Sequence, residues 1–387
     1  MRKGDKNHAK RRSVLLIGPK VPPYGGMAIQ GELMQQLMSA EGIEAYFLPS
    51  NLPFPKGLGL LDRFRGVRPF LRSINFSIQL CRMLPKVEVV HVLACSWLYF
   101  FLIVCPAVSI SWLFGKRVIL NYRGGEADDF LSYYAWALRP FFLMAHVVTA
   151  PSEFLVKVLG NRIGVSVQIV PNIVNFSRFV YRERPRLEPK MIVTRHLLRL
   201  YDIESVIRAF GMVQEHYPES SLLIVGTGDQ EVYLRGLVLE LNLTRVEFLG
   251  YVPQENLPSV YNKCDILLNA SLADNFPGSL VEAAASGLAV VSTAVGGIPY
   301  IFEDGKSAIL VQAGDWQALA AGVLRFLGDP DFAARLRSEA LAQCKSYDWS
   351  NIRRVLYRCY GFDSIAPVPI GQAAAAIAHH GQAGFEG

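Results

Sequence analysis

The chain carries its chemistry most densely between Asn269 and Ile301 (NASLADNFPGSLVEAAASGLAVVSTAVGGIPYI), where Asp274 and Glu282 stand eight positions apart and bracket Gly278, Ser279 and Leu280. The segment reads as a strand (Ile266–Ala270), a glycine-bearing loop, a helix from Ser279 to a stop at Gly287, and a buried strand (Leu288–Thr293). The start of a helix offers unpaired N–H groups and the positive end of its dipole, which suits a diphosphate. Gly278 lets the backbone approach such a ligand closely. Glu282, one turn into the helix, can accept two hydrogen bonds from a ribose diol, and Asp274 can accept from sugar hydroxyls. The same Ser279–Glu282 spacing also writes a capping box, which needs no ligand. Both readings stand at this level.

A diphosphate needs positive charge opposite it. Arg195 follows the strand Met191–Thr194, and Arg199 lies four residues on. Guanidinium forks match phosphate oxygens, although two solvated loop arginines are the plainer alternative. The first half offers a matching loop: after the strand Val14–Gly18 comes PKVPPYGGMAIQGELMQQL, with Gly25 and Gly26 ahead of a helix that starts near Met27. Arg123–Gly124–Gly125–Glu126 follows another strand and reads as a ligand-facing segment. Asp128 and Asp129 read as acids favoured at a helix start. His91, at a strand end, is a second-choice polar residue whose bland reading is structural.

Positioning these loops requires strands that all run the same way. Val14–Gly18, Glu44–Leu48, Val87–Leu93, Arg117–Arg123, Val147–Pro151 and Val167–Pro171 form one set of short β-rich runs separated by helical patterns. Met191–Thr194, Leu222–Gly226, Val246–Gly250, Ile266–Ala270, Ala289–Thr293 and Ala308–Val311 form a second. Alternation of this kind predicts an α/β chain with two doubly wound, Rossmann-like domains facing a cleft. The expected organisation is a basic arm at 1–12, an acceptor domain at 13–172 and a linker at 173–190, rich in Arg, Pro and Glu. A donor domain at 191–345, a helix at 346–362 crossing back, and a disordered tail at 363–387 complete it.

The composition is apolar, 51% hydrophobic over 387 residues, with a net charge of +6. Six cysteines show no CxxC pair and no metal spacing, which predicts buried free thiols in a reducing compartment. Trp97–Phe114 is uncharged and long enough to span a bilayer, but it lies between two strand-like runs and fits a crossover helix. Lys56–Lys86 interleaves arginines with aromatic residues, a pattern suited to an anionic membrane surface. No nucleic-acid motif is present.

With Pro171–Asn175, Ile224–Gly228 and Phe248–Gly250, the run Ala273–Ile301 resembles the retaining glycosyltransferases of family 4, whose fold is GT-B. The resemblance covers Val14 to Tyr360. The family pattern of Glu followed eight positions later by Glu is here Asp274 and Glu282. The resemblance implies that Glu282 binds the donor ribose, Asp274 the transferred sugar, and the backbone of Gly278, Ser279 and Leu280 the diphosphate. It also implies that Gly25 and Gly26 form the N-terminal glycine loop. Arg195 matches the family's arginine. Tyr201 stands where a lysine is usual, Arg123 near a usual histidine, and Asn175 in place of an aspartate.

The expected activity is therefore a metal-independent retaining glycosyltransferase without a cofactor. Asp274, Arg195 and Arg123 are its catalytic candidates. Gly25, Gly26, Arg199, Gly278, Ser279, Leu280 and Glu282 are expected at the donor. Its partners would be a nucleoside-diphosphate sugar and a saccharide or lipid-linked acceptor, with the protein cytoplasmic and peripheral on the inner membrane face. The alternative is a catalytically weak sugar-nucleotide-binding or scaffold protein of a glycan assembly complex.

Overall fold

The computed structural model describes residues 12–21, 25–51 and 68–362. The tail at 363–387, nearly all of the basic arm and the first part of Lys56–Lys86 lie outside the described residues. Two compact units are present: one joins the chain up to Ile173 with the chain from Trp349, and the other is Val174–Asp348.

In the first unit, β1 (Ser13–Gly18), β2 (Glu44–Pro49), β3 (Val89–Ala94), β4 (Arg117–Tyr122), β5 (Val147–Ala150) and β6 (Val167–Ile169) form a parallel sheet. Their order is β2-β1-β3-β4-β5-β6. Strands β1 and β3 are buried along their whole length, so SVLLIG and VVHVLA are continuous rather than alternating runs. Trp97–Phe114 is the crossover between β3 and β4: a π-helical stretch, Phe100–Val104, runs into the α-helix Cys105–Leu113. Pro106 has no N–H to give the carbonyl of Leu102. Ser73 Oγ donates to that carbonyl instead, at 2.5 Å. Among the described residues, no helix is long and apolar enough to cross a membrane.

The last helix, Trp349–Tyr360, completes this first unit. Glu41 accepts from Trp349 Nε1 (2.8 Å), Arg353 Nη1 (2.5 Å) and Tyr357 Oη (2.7 Å). His91 is fully buried in β3 and accepts from Asn121 at Nε2 (3.1 Å), so its Nδ1–H donates to Tyr360 Oη (2.7 Å). Burial, with the Arg123 charge nearby, pushes its pKa down to about 3. His91 is thus a neutral strut between sheet and helix.

In the second unit, β7 (Lys190–Thr194), β8 (Ser221–Val225), β9 (Val246–Gly250), β10 (Ile266–Asn269), β11 (Ala289–Thr293) and β12 (Ile309–Val311) are again all parallel. The order is β12-β11-β10-β7-β8-β9. Period-two alternation divides its core between the sheet's faces: Met191, Val193, Ile266 and Leu268 pack into one cluster, Ile192, Leu267 and Val290 into another. Chain order reverses between β7 and β10, which are paired through Met191↔Ile266 and Ile192↔Leu267. In such sheets ligands bind beyond the carboxyl ends of the strands at this reversal.

The segment 173–190, expected as a linker, is instead fastened to the second unit. Arg184 is buried and donates to Asp265 Oδ1 (2.8 Å), the Ser286 carbonyl (2.8 Å) and the Cys264 carbonyl (2.9 Å). Asp265 Oδ2 accepts from the Glu188 N–H at 2.7 Å. Charge-rich composition suggested solvated chain. The physical correction is that this arginine has acceptors enough to be buried.

Candidate functional site

The reversal between β7 and β10 is where the second unit gathers its polar groups. Arg195 is the first residue after β7, and Asn269 the last of β10. Arg195 Nε donates to Asn269 Oδ1 at 3.0 Å, and its Nη2 lies 2.8 Å from Asp274 Oδ2. Both charged side chains are mostly buried, at 12% and 13% exposure, and the guanidinium stands 5.3 Å from the centre of the Tyr201 ring. Asn269 is itself fixed, donating to Ser292 Oγ (3.0 Å) and accepting from Ser271 Oγ (2.8 Å). Among the described residues, Nη1 of Arg195 has no partner.

Close backbone packing holds both charged residues in place. Gly226 has φ +135, and a Cβ there would stand 1.9 Å from the Arg195 carbonyl oxygen. Gly296, at φ +54, is pressed in the same way against the Asp274 carbonyl, which also accepts from the Gly297 N–H at 2.9 Å. Side chains at either glycine would displace the pair.

The site helix runs from Gly278 to Ala285, with Pro277 at its N-cap and no side-chain cap bond. The capping box is therefore not formed. Ser279 lies inside the helix, and its Oγ is buried without a partner among the described residues. The Leu280 N–H is bonded to the Pro277 carbonyl (3.2 Å) and its side chain is in the core, which corrects its assignment to diphosphate binding. The N–H groups of Gly278 and Ser279 have no acceptor among the described residues.

Glu282 faces the same end of the helix. A Cβ built on Gly278 would meet only Glu282 Oε1, at 3.9 Å. Tyr261 Oη donates to Glu282 Oε2 (3.2 Å) and shares a hydrogen bond with Thr194 Oγ1 (3.0 Å). Desolvation pushes the Glu282 pKa up to about 7, against the opposing effects of the Tyr261 bond and of Arg195 and Arg178. A group that donates to this carboxyl would restore its charged form.

Arg199 is not brought to this cluster: it is exposed on a short 3-10 turn and lines a separate shallow pocket with Asp202, Gln230 and Tyr233. Tyr261 and Asn269 are site neighbours that the sequence reading did not select, and Tyr201 entered it only as the residue in place of the family's lysine. Asn269 alone left a signal, a polar side chain at the end of an otherwise apolar strand.

In the first unit, Gly25 caps the helix Gly26–Ala40, and a Cβ on either Gly25 or Gly26 would meet nothing within 4 Å among the described residues. Arg123 donates to Asn172 Oδ1, and burial pushes its pKa down to about 10. Gly124 is pressed against Ser96 and Tyr122, and Glu126 accepts from Trp97 Nε1 at 2.6 Å. Asp128, at the helix start, pairs with Arg162.

Residues 180–343 match the family described as Glycosyl transferases group 1. That match lies within the second unit. It is 30% identical over 172 residues to a D-inositol 3-phosphate glycosyltransferase of Corynebacterium urealyticum, an alignment covering 42% of this chain and 41% of that relative. Group 1 relatives of this kind are thus matched over about two fifths of their length. An N-acetyl-alpha-D-glucosaminyl L-malate synthase of Bacillus anthracis is 26% identical over 356 residues, 82% of this chain and 89% of its own. Among solved structures, Anabaena HepE in complex with UDP-glucose superposes with a TM-score of 0.69 at 16% identity, covering 90% of this chain and 99% of that one. The two six-stranded parallel sheets with interleaved helices are those of GT-B glycosyltransferases.

Proposed function

We propose that the chain is a retaining glycosyltransferase that moves a sugar from a nucleoside-diphosphate sugar to a saccharide or lipid-linked acceptor, without a metal or a resident cofactor. The observation that carries the reading is the buried Arg195–Asp274 pair at the β7–β10 reversal, beside a helix whose first N–H groups and Glu282 Oε1 are open. The Gly278 and Ser279 N–H groups would take the diphosphate, and Glu282 the ribose diol. Arg195 would stabilise charge on the departing diphosphate through its open Nη1 edge. Asp274 orients that guanidinium and can accept from a sugar hydroxyl. The family match over 180–343, and the UDP-glucose bound by the structurally similar HepE, support a nucleotide-sugar donor.

The first test is thermal shift of the full chain against UDP-, GDP- and ADP-sugars, with Glu282→Ala as control. One donor class stabilises the parent and not the variant. Transfer by that donor in EDTA, with the product's anomeric configuration read by NMR, follows. Inversion, or loss of transfer in chelator, overturns those parts of the proposal. Tyr201, in place of the family's lysine and stacked on Arg195, favours the second reading, a binding or scaffold protein. Stabilisation by a donor with neither hydrolysis nor transfer across acceptors would favour it.

A further inference from the structure

The helical layer over one face of the first sheet is apolar on both sides. Helix Arg68–Met83 buries Phe76 and Leu80 inward, yet exposes Phe70, Ile74 and Ile78 at four-residue spacing on its outer stripe. The next helix buries Ala107 and Val108 and ends in exposed Trp112, Leu113 and Phe114. Helix Ala127–Met144 buries Phe130, Leu131 and Leu138 and exposes Tyr133, Trp136 and Leu143, Trp136 at 83%. The three helices are neighbours: Ser73 Oγ bonds the Leu102 carbonyl, and the Phe101 and Tyr134 rings lie 5.4 Å apart. Isolated exposed apolar residues are ordinary; a run of them across three adjacent helices marks an interaction surface.

The charge around this surface selects its occupant. Arg68, Arg82 and Lys86 are exposed, and Lys116 follows the second helix. No acid occurs in 68–86 or in 97–116, and the acids of the third helix, Asp128 and Asp129, are confined to its first turn, Asp128 paired with Arg162. Tryptophan and tyrosine among the aliphatics, with basic residues at the margin, are the composition of a face that lies in the headgroup boundary of an anionic bilayer. We infer that this three-helix face docks the first unit on an anionic lipid surface. The inference does not depend on the donor reading, since none of these residues belongs to the second unit's site.

The experiment is flotation of the full chain with phosphatidylcholine vesicles, alone and with 30 mol% phosphatidylglycerol (about that content gives a strong negative surface). Binding to the anionic vesicles alone, weakened by salt, is expected. Ile74→Glu/Leu113→Glu/Trp136→Glu lowers the bound fraction at least about tenfold. Arg82→Glu/Lys86→Glu, which leaves the apolar face intact, lowers it several-fold. Far-UV circular dichroism and the thermal unfolding midpoint confirm that each variant is folded. Tryptophan fluorescence shifts to the blue with anionic vesicles in the parent and not in the triple variant. No flotation by folded parent, or equal flotation with neutral vesicles, overturns the inference. So does a concentration-dependent dimer abolished by the triple variant, which would make the face an interface between copies.

Discussion

The two units are built on the same plan of six parallel strands but differ in where they leave groups unsatisfied. The second unit concentrates charge at the β7–β10 reversal, where the mostly buried Arg195, Asp274 and Glu282 lie near two N–H groups that have no acceptor among the described residues. Its exposed large apolar residues are Val232, Tyr233 and Leu239 on the one helix Glu231–Glu240, with others such as Tyr251 and Leu272 in loops. The first unit spreads its exposed apolar residues over adjacent helices. Its buried polar side chains His91 and Ser96 are bonded to Tyr360, Asn121 and Tyr122, while its outer helices present aromatics and leucine to solvent. A polar group already matched inside the protein has little left for a ligand, and an apolar face left uncovered has little use except adhesion. The two proposals therefore assign donor chemistry to one unit and attachment to the other.

That division can be broken at several points. Arg184→Ala strands Asp265 without its partner under the second unit, and should lower stability by about 3–5 kcal/mol in urea unfolding. Arg162→Ala, which breaks the exposed Arg162–Asp128 pair of the first unit, should leave the midpoint in place. Arg195→Ala should lower the rate of sugar transfer by about 10²–10³-fold with the fold intact, as expected for removal of one preorganised donor to developing charge.

Glu282→Gln separates stability from binding. An acid whose pKa rises from 4.5 to about 7 on folding favours the folded state when protonated. Its contribution is full below 4.5 and lost as pH rises through 7. The glutamine variant should thus be more stable than the parent at pH 8, by on the order of 2–3 kcal/mol, and no more stable below pH 4.5. Donor affinity of the parent should rise with pH through 7, because a diol favours the carboxylate. Calorimetric titration should show that slope absent in the variant. The smallest effect is expected at Tyr201. Tyr201→Phe keeps the ring beneath Arg195 and should change transfer little, while Tyr201→Ala loses about 0.5–1 kcal/mol of cation–π support, a few-fold change in rate.

Much of the fold was legible because parallel, doubly covered strands write themselves as short apolar runs such as VVHVLA and AVVST. The acids and the glycine at the site helix were legible because eight residues of local spacing carry them. What was not legible depends on distant partners. Asn269 and Tyr261 act through Arg195 and Glu282, 74 and 21 residues away. Arg184 looks solvated in sequence and is buried because Asp265 and two carbonyls converge on it from other elements. Ser279 and Glu282 fit a capping pattern, but Pro277 takes the cap position and shifts the helix start to Gly278. Arg199 shared a spacing argument with Arg195, and a left-handed Asp202 (φ 43) closing its short turn leaves it outside the cluster.

The return of helix Trp349–Tyr360 to the first unit has a bearing on how the protein is made. The first unit is discontinuous along the chain, and residues 174–348 form a continuous insertion within it. At roughly 5–20 residues per second, a ribosome needs on the order of ten to thirty seconds to add that insertion. During this interval Glu41 and His91 have been synthesised and their partners Trp349, Arg353, Tyr357 and Tyr360 have not. The nascent first unit therefore waits with Glu41 lacking its three donors and His91 lacking Tyr360, while the unit begun second is the first whose chain is complete. Vectorial synthesis thus makes the unit begun first the last to close.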